Sequence, residues 1–456
     1  MLELVPYQDL ATALVVDLTV LTVCTVLLLY YGRLAHSHPA VVYLLFHALV
    51  VPSRLLAIMA GADTWFTNWG GIFEGVTEEE IVRAAFLFDV TLAVMTVAWM
   101  RTAVVDARHG REASAPADNQ PRTLSLEHIW RVVAIAFPIG IIGIGLLGYV
   151  PGIEKPEIDF GDWQESSWLS ITMTWAGLAL LALIYWYGLR WWLLVLMTCD
   201  LFVMAVQGYH RFRVIIPLIL ILQIYLDRRG RRWPPAIVLV PIVVGVMLFY
   251  PMKTIGRMAQ EGASIADISR SSSEIVREAM SGQAADQSVL DQLASSLTLI
   301  DRADKYYYGS IYLVLFTSPV PRQWWPDKPT LSSHLQDIST PSRPVAELGM
   351  ILTFIGEFYI NFGYFGIIFM SYLTAYWLAR VYFRAYRSNY FSVLRFGYLL
   401  IACNLIQVYR DGLMSLFIFT LVNMMPLAAI VILHYVWPVR QNKASVPLYR
   451  MPVSPR

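Results

Sequence analysis

The sequence predicts an all-α, polytopic membrane protein with about eleven transmembrane helices and one large polar loop on the outer side. Hydrophobic residues make up 57% of its 456 residues and charged residues only 15%, which is far from the composition of soluble domains. The apolar residues are gathered in runs of roughly 17 to 22, long enough for a helix to cross about 30 Å of hydrocarbon. Because backbone groups in lipid must bond internally, these runs are expected to be helices.

The predicted spans follow the apolar runs in chain order. They are residues 11–31, 40–60, 84–103, 132–150, 168–188, 191–207, 208–226, 233–250, 362–382, 391–408 and 413–436. The chain is thereby divided into a first membrane part with spans one to eight (1–251), a large outer loop (252–361), a second membrane part with spans nine to eleven (362–436) and a cytoplasmic tail (437–456).

Charge asymmetry between alternate connections predicts the orientation. One set of connections is rich in arginine and lysine, whereas the other set is acidic. The basic set contains Arg33, Arg108, Arg111, Arg122, Arg190, Arg228, Arg229, Arg231, Arg232, Arg384, Arg387, Arg440 and Lys443. Basic connections stay on the cytoplasmic side, so the N-terminus and the large loop are expected outside and the C-terminus inside.

The large loop is expected to be functional, because loops of this length are uncommon in compact proteins. A stretch of helical character at 263–299 precedes an aromatic, proline-rich stretch at 306–329. Two apolar pieces, 311–316 and 348–355, are too short to span and are expected to be re-entrant or interfacial. The formal net charge of +1 argues against a nucleic-acid partner, which would require a basic excess. No metal-type or nucleotide-type motif is present, so no cofactor is expected.

Two turns on the predicted outer side carry arginines, although the other short connections on that side are acidic. Arg211 and Arg213 lie where the seventh span begins, and Arg410 and Asp411 lie between the tenth and eleventh spans. An arginine near membrane depth costs a few kcal/mol unless it is paired, which favours a functional role such as anion binding. The alternatives are that Arg211 and Arg213 reach lipid headgroups and that Arg410 pairs with Asp411 or a neighbouring helix.

The loop adds basic, aromatic and acidic side chains that suit a glycan-binding site. They are Arg302, Arg322, Trp324, Trp325, Lys328, His334, Glu347, Glu357 and Tyr359. Tryptophans offer flat amphipathic surfaces that stack on sugars or anchor a loop at the membrane interface. Glu357 and Asn361 are four residues apart and share one face if helical. A carboxylate there could serve as a general base, or could instead pair with an arginine.

Four segments, taken in their order, resemble the Wzy-type O-antigen and exopolysaccharide repeat-unit polymerases, which are relatives of the O-antigen ligases. The segments are 210–217, 321–329, 356–366 and 409–412. In the first segment the arginine lacks the small residue that the family has on each side, so Arg211 and Arg213 are both candidates for its counterpart.

The resemblance implies a metal-independent glycosyltransferase in the bacterial cytoplasmic (inner) membrane that polymerises undecaprenyl diphosphate-linked oligosaccharides at the outer face. Donor and acceptor are both lipid-linked, and membrane lipids, a chain-length regulator and a flippase are candidate partners. Guanidinium groups suit the leaving diphosphate because they are permanently charged and bidentate. The candidate bases, in order of preference, are Glu357, Glu347, His334 and Asp411. The candidate substrate-binding residues are Arg211, Arg213, Arg302, Arg322, Trp324, Trp325, Lys328, Tyr359 and Arg410.

Three other functional classes fit the sequence. An O-antigen ligase, which moves finished glycan to a lipid core, would need the same chemistry. A transporter or flippase for lipid-linked sugars would also use outer arginines and aromatics, but it is expected to line a mid-membrane path with charge. The intramembrane acids Asp17, Asp89 and Asp200 are few and scattered along the chain, which favours the polymerase. A structural scaffold is the last class.

Overall fold

The computed structural model describes most of the chain. It covers residues 7–32, 34–64, 75–112, 126–147, 174–206, 212–235, 289–317, 331–341, 352–387 and 392–436, together with residues 320, 324, 325 and 327. The regular structure over these residues is helical.

The helices are numbered here in chain order. They are α1 (Leu10–Tyr31), α2 (Pro39–Met59), α3 (Glu78–Glu112), α4 (Leu126–Leu147), α5 (Trp175–Tyr187), α6 (Trp191–Val206), α7 (Phe212–Arg228), α8 (Val289–Ala303), α9 (Val314–Thr317), α10 (Leu331–Ile338), α11 (Phe354–Arg387), α12 (Val393–Asp411), α13 (Leu413–Ser415) and α14 (Leu421–Val436). A 3₁₀ turn (Ser310–Leu313) runs into α9, and a π-helical turn (Leu416–Thr420) joins α13 to α14.

Four of these helices are long and apolar enough to cross a membrane. They are Leu10–Tyr31, Pro39–Met59, Glu78–Arg108 and Phe354–Arg387. Shorter apolar helices accompany them, among them α5 and most of α6. The predicted class of an all-helical membrane protein is thereby confirmed, whereas the number of eleven spans and their orientation stay predictions. The predicted eighth span, 233–250, lies almost entirely outside the described residues.

Helix ends follow local capping signals. The Asp9 carboxylate begins α1 by accepting a hydrogen bond from Thr12 N–H at 2.6 Å, and the Ser392 hydroxyl accepts from Arg395 N–H at 3.1 Å to begin α12. Such caps satisfy backbone donors that lack a partner in the first helical turn. Gly412, at a φ of +100°, ends α12 in a conformation that glycine adopts without strain.

Helix ends that the charge pattern assigns to the cytoplasm meet on one face of the protein. Arg395 at the start of α12 makes a bidentate ion pair with Asp227 at the end of α7, at 2.6 and 2.9 Å. Arg387 at the end of α11 pairs with Asp106 near the end of α3. Arg232, just after α7, donates to the loop between α1 and α2 at 2.6 Å. These contacts hold the helix ends together, and the side of the membrane that they face stays a prediction.

Two hydrophobic cores share α12. The first core joins α1, α2, α3, α8 and α11, and the second joins α4, α5, α6, α7 and α14. Tyr398 and Tyr409 of α12 belong to the first core, whereas Phe396 and Cys403 belong to the second. This helix therefore connects the bundle that carries the loop helices to the other bundle.

α11 begins at Phe354, before the predicted start of the ninth span at residue 362, and is kinked at Gly363. Gly363 has φ 60° and ψ −150°, which interrupts the helix and is tolerated by glycine. The predicted boundary between the outer loop and the second membrane part, 361/362, lies next to this kink. The short segment before the kink carries Glu357. The predicted interfacial piece at 311–316 consists of the 3₁₀ turn and most of α9.

His38 makes the stability of the protein depend on pH. Its imidazole begins α2 by accepting a hydrogen bond from Ala40 N–H at 3.1 Å, and it is buried against the rings of Tyr382 and Phe383. Burial lowers the pKa of His38 to about 3, so the folded protein binds fewer protons there than the unfolded chain. The stability contributed by neutral His38 is complete above about pH 6.5 and falls by up to about 1.4 kcal/mol per pH unit below it.

Asparagine in place of His38 is expected to flatten that pH dependence. Its side-chain oxygen can still cap α2, but it does not titrate. Thermal denaturation of the purified wild-type and His38→Asn proteins at pH 7 and pH 5 measures the effect. The wild type should lose more stability between the two pH values than the variant, and an equal loss would contradict the assignment.

Candidate functional site

Several predicted site residues lie outside the described part of the chain. They are Arg211, Arg322, Lys328 and Glu347. Arg213 lies in the first turn of α7. The convergence of the outer arginines on one diphosphate-binding cavity therefore stays a prediction.

Glu357 and Gly412 bring two of the predicted segments together. Glu357 is 2% exposed, and its Oε2 accepts a hydrogen bond from Met414 N–H at 3.3 Å. Gly412 lies directly against Oε2, where an added β-carbon would overlap that oxygen. Glycine is thus required at residue 412 both for its positive φ and for the space that the carboxylate occupies. A carboxylate is also favourable where the backbone N–H groups of a beginning helix point.

The other carboxylate oxygen, Glu357 Oε1, is buried without a hydrogen-bond partner among the described residues. The hydroxyl of Tyr312, in the 3₁₀ turn, is likewise buried and makes no hydrogen bond of normal geometry with a described residue, although it lies close enough to the Glu357 carboxylate to interact with it. Burial, and then the charge of the nearby Glu357, raise the pKa of the Tyr312 hydroxyl. Other buried polar atoms in this structure also lack a partner among the described residues, but a carboxylate oxygen in that position can accept a proton from a substrate, and a catalytic role is one explanation for such a group. We call Glu357, Tyr312 and Gly412 the carboxylate junction.

Arg410 and Asp411 lie at the C-terminal end of α12, immediately before Gly412. Arg410 Nε is 3.5 Å from Asp411 Oδ1, in agreement with the predicted alternative that these two residues pair. The side chains are 19% and 24% exposed, so both are partly accessible, in contrast to the buried Glu357. A cation is favourable at the C-terminal end of a helix, which helps to stabilise Arg410 there.

Asn361 fixes the 3₁₀ turn against the start of α11. Its Nδ2 donates to the Glu357 carbonyl oxygen at 2.8 Å, and its Oδ1 accepts from Gly309 N–H at 2.9 Å. Backbone hydrogen bonds from Tyr307 and Tyr308 to residues 360 and 361, both 3.0 Å, strengthen this connection. The predicted shared face of Glu357 and Asn361 is confirmed, and Asn361 serves to position the turn that carries Tyr312.

Tyr359, a predicted substrate-binding residue, is fully buried in a polar network. Its hydroxyl donates to Asp301 Oδ1 and accepts from Arg83 Nη2 at 3.0 Å. Arg83 also forms an ion pair with Asp301 at 2.6 Å and donates to the Tyr364 hydroxyl at 2.7 Å. The Tyr359 ring is therefore no open stacking surface in this structure. Arg83 could have been singled out as one of the few bases on the acidic outer side.

His334 belongs to a separate network in the outer loop. Its ring packs edge-on against Tyr307, with centroids 4.8 Å apart, and its carbonyl oxygen accepts from the Tyr307 hydroxyl at 3.2 Å. Nearby, Lys305 forms an ion pair with Asp337 at 2.7 Å. The hydrogen bond from Lys305 lowers the pKa of the Asp337 carboxyl.

Three of the predicted substrate-binding residues are exposed at the protein surface: Trp324, Trp325 and Arg302. The tryptophans are 81% and 43% exposed, and Arg302 is exposed in the last turn of α8. Exposed tryptophans suit both predicted uses, stacking on a sugar and anchoring the loop at the membrane interface.

A buried polar cluster inside the first three helices was missed by sequence reasoning. His47 Nε2 lies 2.7 Å from Asp17 Oδ1 and 3.6 Å from Asp89 Oδ1, and the Tyr7 hydroxyl donates to Asp89 Oδ2 at 2.8 Å. The interpretation of Asp17 and Asp89 as scattered acids is wrong, because α1, α2 and α3 pack together and bring them to one point. The imidazole and two carboxylates could hold a metal ion or share a proton. His47, an ionisable residue within a span, was the available signal.

A second missed pair, Arg54 and Asp291, connects α2 to α8. Arg54 Nε and Nη2 donate to the two oxygens of Asp291 at 2.9 and 2.7 Å. The side chains are 3% and 0% exposed, so the pair is bidentate and buried. It holds the first described helix of the outer loop against the membrane bundle.

The action of this site has to be inferred from its own residues. Comparison of the chain with protein-family models, with curated proteins and with solved structures finds no match.

Proposed function

We propose that this protein is a membrane glycosyltransferase that polymerises oligosaccharide repeat units carried on undecaprenyl diphosphate, at the outer face of the bacterial cytoplasmic membrane. The observation that supports it most is the carboxylate junction. There, a buried carboxylate keeps one oxygen unpartnered among the described residues and lies against Gly412, next to Arg410 and Asp411. Two of the segments that resemble the polymerases, 356–366 and 409–412, meet at this point.

Glu357 is the proposed base for the acceptor sugar. Its Oε1 takes the proton of an acceptor hydroxyl while that hydroxyl oxygen attacks the anomeric carbon of the donor glycan. The bond between the anomeric carbon and the diphosphate oxygen breaks, and its electron pair leaves with undecaprenyl diphosphate. The glycan grows by the length of the transferred chain, and the proton is left on Glu357.

Arginines are the proposed stabilisers of the leaving diphosphate. Its negative charge increases as the bond breaks, and a permanently charged, planar guanidinium group meets that charge with two hydrogen bonds. Arg410 is two residues from Gly412, and we propose that Arg211, Arg213 and Arg322 complete the diphosphate site. Trp324, with its exposed ring, is the proposed platform for a sugar ring.

The glycan profile of bacterial cells that lack this protein tests the proposal. Loss of long polymer, with single repeat units still attached to their acceptor, would support a polymerase. Loss of all attached glycan would identify a ligase, which uses the same chemistry on a different acceptor. An unchanged profile would reject both, and restoration of the protein on a plasmid is the control.

A transporter of lipid-linked sugars is the second candidate, because the Asp17–His47–Asp89 cluster favours it. Ionisable residues buried within spans are typical of proton- or ion-coupled carriers. Asp89→Asn separates the two candidates in reconstituted vesicles. A transporter would lose movement of the lipid-linked sugar across the bilayer, whereas a polymerase would still join repeat units supplied on the outer leaflet.

A further inference from the structure

A basic groove lies between α3 and α11, at the ends of these helices that are remote from Glu357. It encloses a cavity of about 210 Å³. Its walls are formed by Thr102, Val105 and Asp106 of α3 and by Tyr376, Arg380, Phe383, Arg384 and Arg387 of α11. The groove is separate from the carboxylate junction and has no part in the proposed transfer reaction.

Three arginines on one side of α11 give the groove its charge. Arg380, Arg384 and Arg387 are spaced by four and three residues, so they follow one another along one helix face. The only carboxylate among the described lining residues is Asp106, whose backbone oxygen and side chain are both bound by Arg387. Three positive charges against one negative charge leave the lining with an excess of two positive charges.

Arg380 and Arg387 are held by contacts with other side chains of the groove, whereas Arg384 is available to bind a ligand. Arg380 Nη1 donates to the Tyr376 hydroxyl at 3.1 Å, and its guanidinium lies over the Tyr376 ring at 5.6 Å from the centroid. Arg387 is fixed by Asp106. Arg384 is exposed, and it makes no hydrogen bond or ion pair with any residue that the structure describes. The groove is therefore formed around one guanidinium that has no counter-anion among the described residues.

Apolar side chains adjoin the groove on the same helix. Leu373 and Trp377, which precede Arg380 by one to two turns, are 46% and 49% exposed. In a membrane-spanning helix, such side chains face hydrocarbon, and a tryptophan near the arginines marks the interface between hydrocarbon and headgroups. An anion that enters the groove with acyl chains attached could therefore bury those chains along Leu373 and Trp377.

We propose that this groove binds the phosphate headgroup of an anionic phospholipid. Arg384 and Arg380 contact the phosphate oxygens, and the acyl chains run along α11 toward the membrane centre. Basic pockets between membrane helices, at the level of the headgroups, are suited to this class of ligand. A free phosphate ion would use only the arginines and would gain nothing from the adjoining apolar side chains.

Native mass spectrometry of the full-length protein, delipidated in detergent and titrated with phosphatidylglycerol, tests the proposal. The wild type should retain phosphatidylglycerol in preference to phosphatidylcholine. Arg380→Gln and Arg384→Gln should each weaken retention about five-fold, and together about 25-fold. Arg229→Gln is the matched control, because Arg229 is an exposed arginine just after the end of α7 that does not line the groove. It should leave binding unchanged.

Thermal denaturation of each variant shows whether it is folded, and inorganic phosphate added to the titration distinguishes the two sources of the anion. Equal binding of phosphatidylglycerol to the wild type and the folded double variant would overturn the proposal. Equal retention of phosphatidylcholine would do the same. Displacement of the lipid by millimolar phosphate would show that the groove is a site for the free anion, which also overturns the lipid assignment.

Discussion

Replacement of Glu357 with glutamine is expected to reduce glycan transfer by about 100-fold or more, while the protein stays folded and inserted. Glutamine has nearly the same shape, and its side-chain oxygen can still accept the hydrogen bond from Met414 N–H. It cannot take a proton from the acceptor hydroxyl, and loss of a general base typically costs a factor of 10² to 10⁴ in rate. Transfer by the purified, reconstituted enzyme with lipid-linked donor and acceptor measures the effect.

Glu79→Gln is the matched control for this experiment. Glu79 is an exposed carboxylate in the first turn of α3, on the same predicted outer side, so its substitution removes an equal charge without affecting the carboxylate junction. The control should transfer glycan at the wild-type rate. Glu357→Gln should still bind the donor lipid, which separates loss of a base from loss of the site. A folded Glu357→Gln protein that polymerises normally would exclude Glu357 as the base.

Replacement of Asp291 with asparagine is expected to destabilise the protein by about 3 to 5 kcal/mol. Asp291 and Arg54 are both buried and doubly hydrogen-bonded. The substitution leaves the Arg54 charge buried without its counter-charge, and this desolvated charge is the source of the cost. Denaturation of the purified protein in detergent, followed by the loss of helical signal, gives the change in stability.

Two further variants test the physical reason. The double substitution Arg54→Leu and Asp291→Leu should recover much of the lost stability, because it removes the second charge as well. Asp337→Asn breaks the pair with Lys305, which is about half exposed, and should change stability little because solvent screens such pairs. A small effect of Asp291→Asn, similar to that of Asp337→Asn, would contradict the importance of the buried pair.

Helix positions could be predicted from the sequence where an apolar run ends at a capping residue. The predicted span 413–436 coincides with the helical stretch from α13 to α14, and 11–31 differs from α1 by one residue. α3 was predicted too short at 84–103, because its charged first and last turns do not belong to the apolar run. The first turn is helical because its acidic residues suit the N-terminus of a helix.

The contact between Glu357 and Gly412 was not predicted, since the two residues lie far apart in the chain and the resemblance names their segments only separately. Hydropathy shows that a residue is in a span but not which helix face it occupies or which helix it meets. The pairs Arg54–Asp291 and Arg83–Asp301 therefore could not be predicted, because each joins a membrane helix to a loop helix. In every such case the missing information was the packing of helices that are distant in sequence.

The buried cluster of Asp17, His47 and Asp89 has a consequence for biosynthesis in the membrane. An aspartate near the middle of an isolated helix opposes insertion by about 2.5 to 3.5 kcal/mol on scales measured with the translocon. α1 carries Asp17, and this cost is offset only when α2 supplies His47. Asp89 imposes the same insertion cost on α3, and its contacts with His47 and Tyr7 of the preceding segments offset that cost. The first three helices are therefore expected to leave the translocon as one group, before the helices of the large loop have been synthesised.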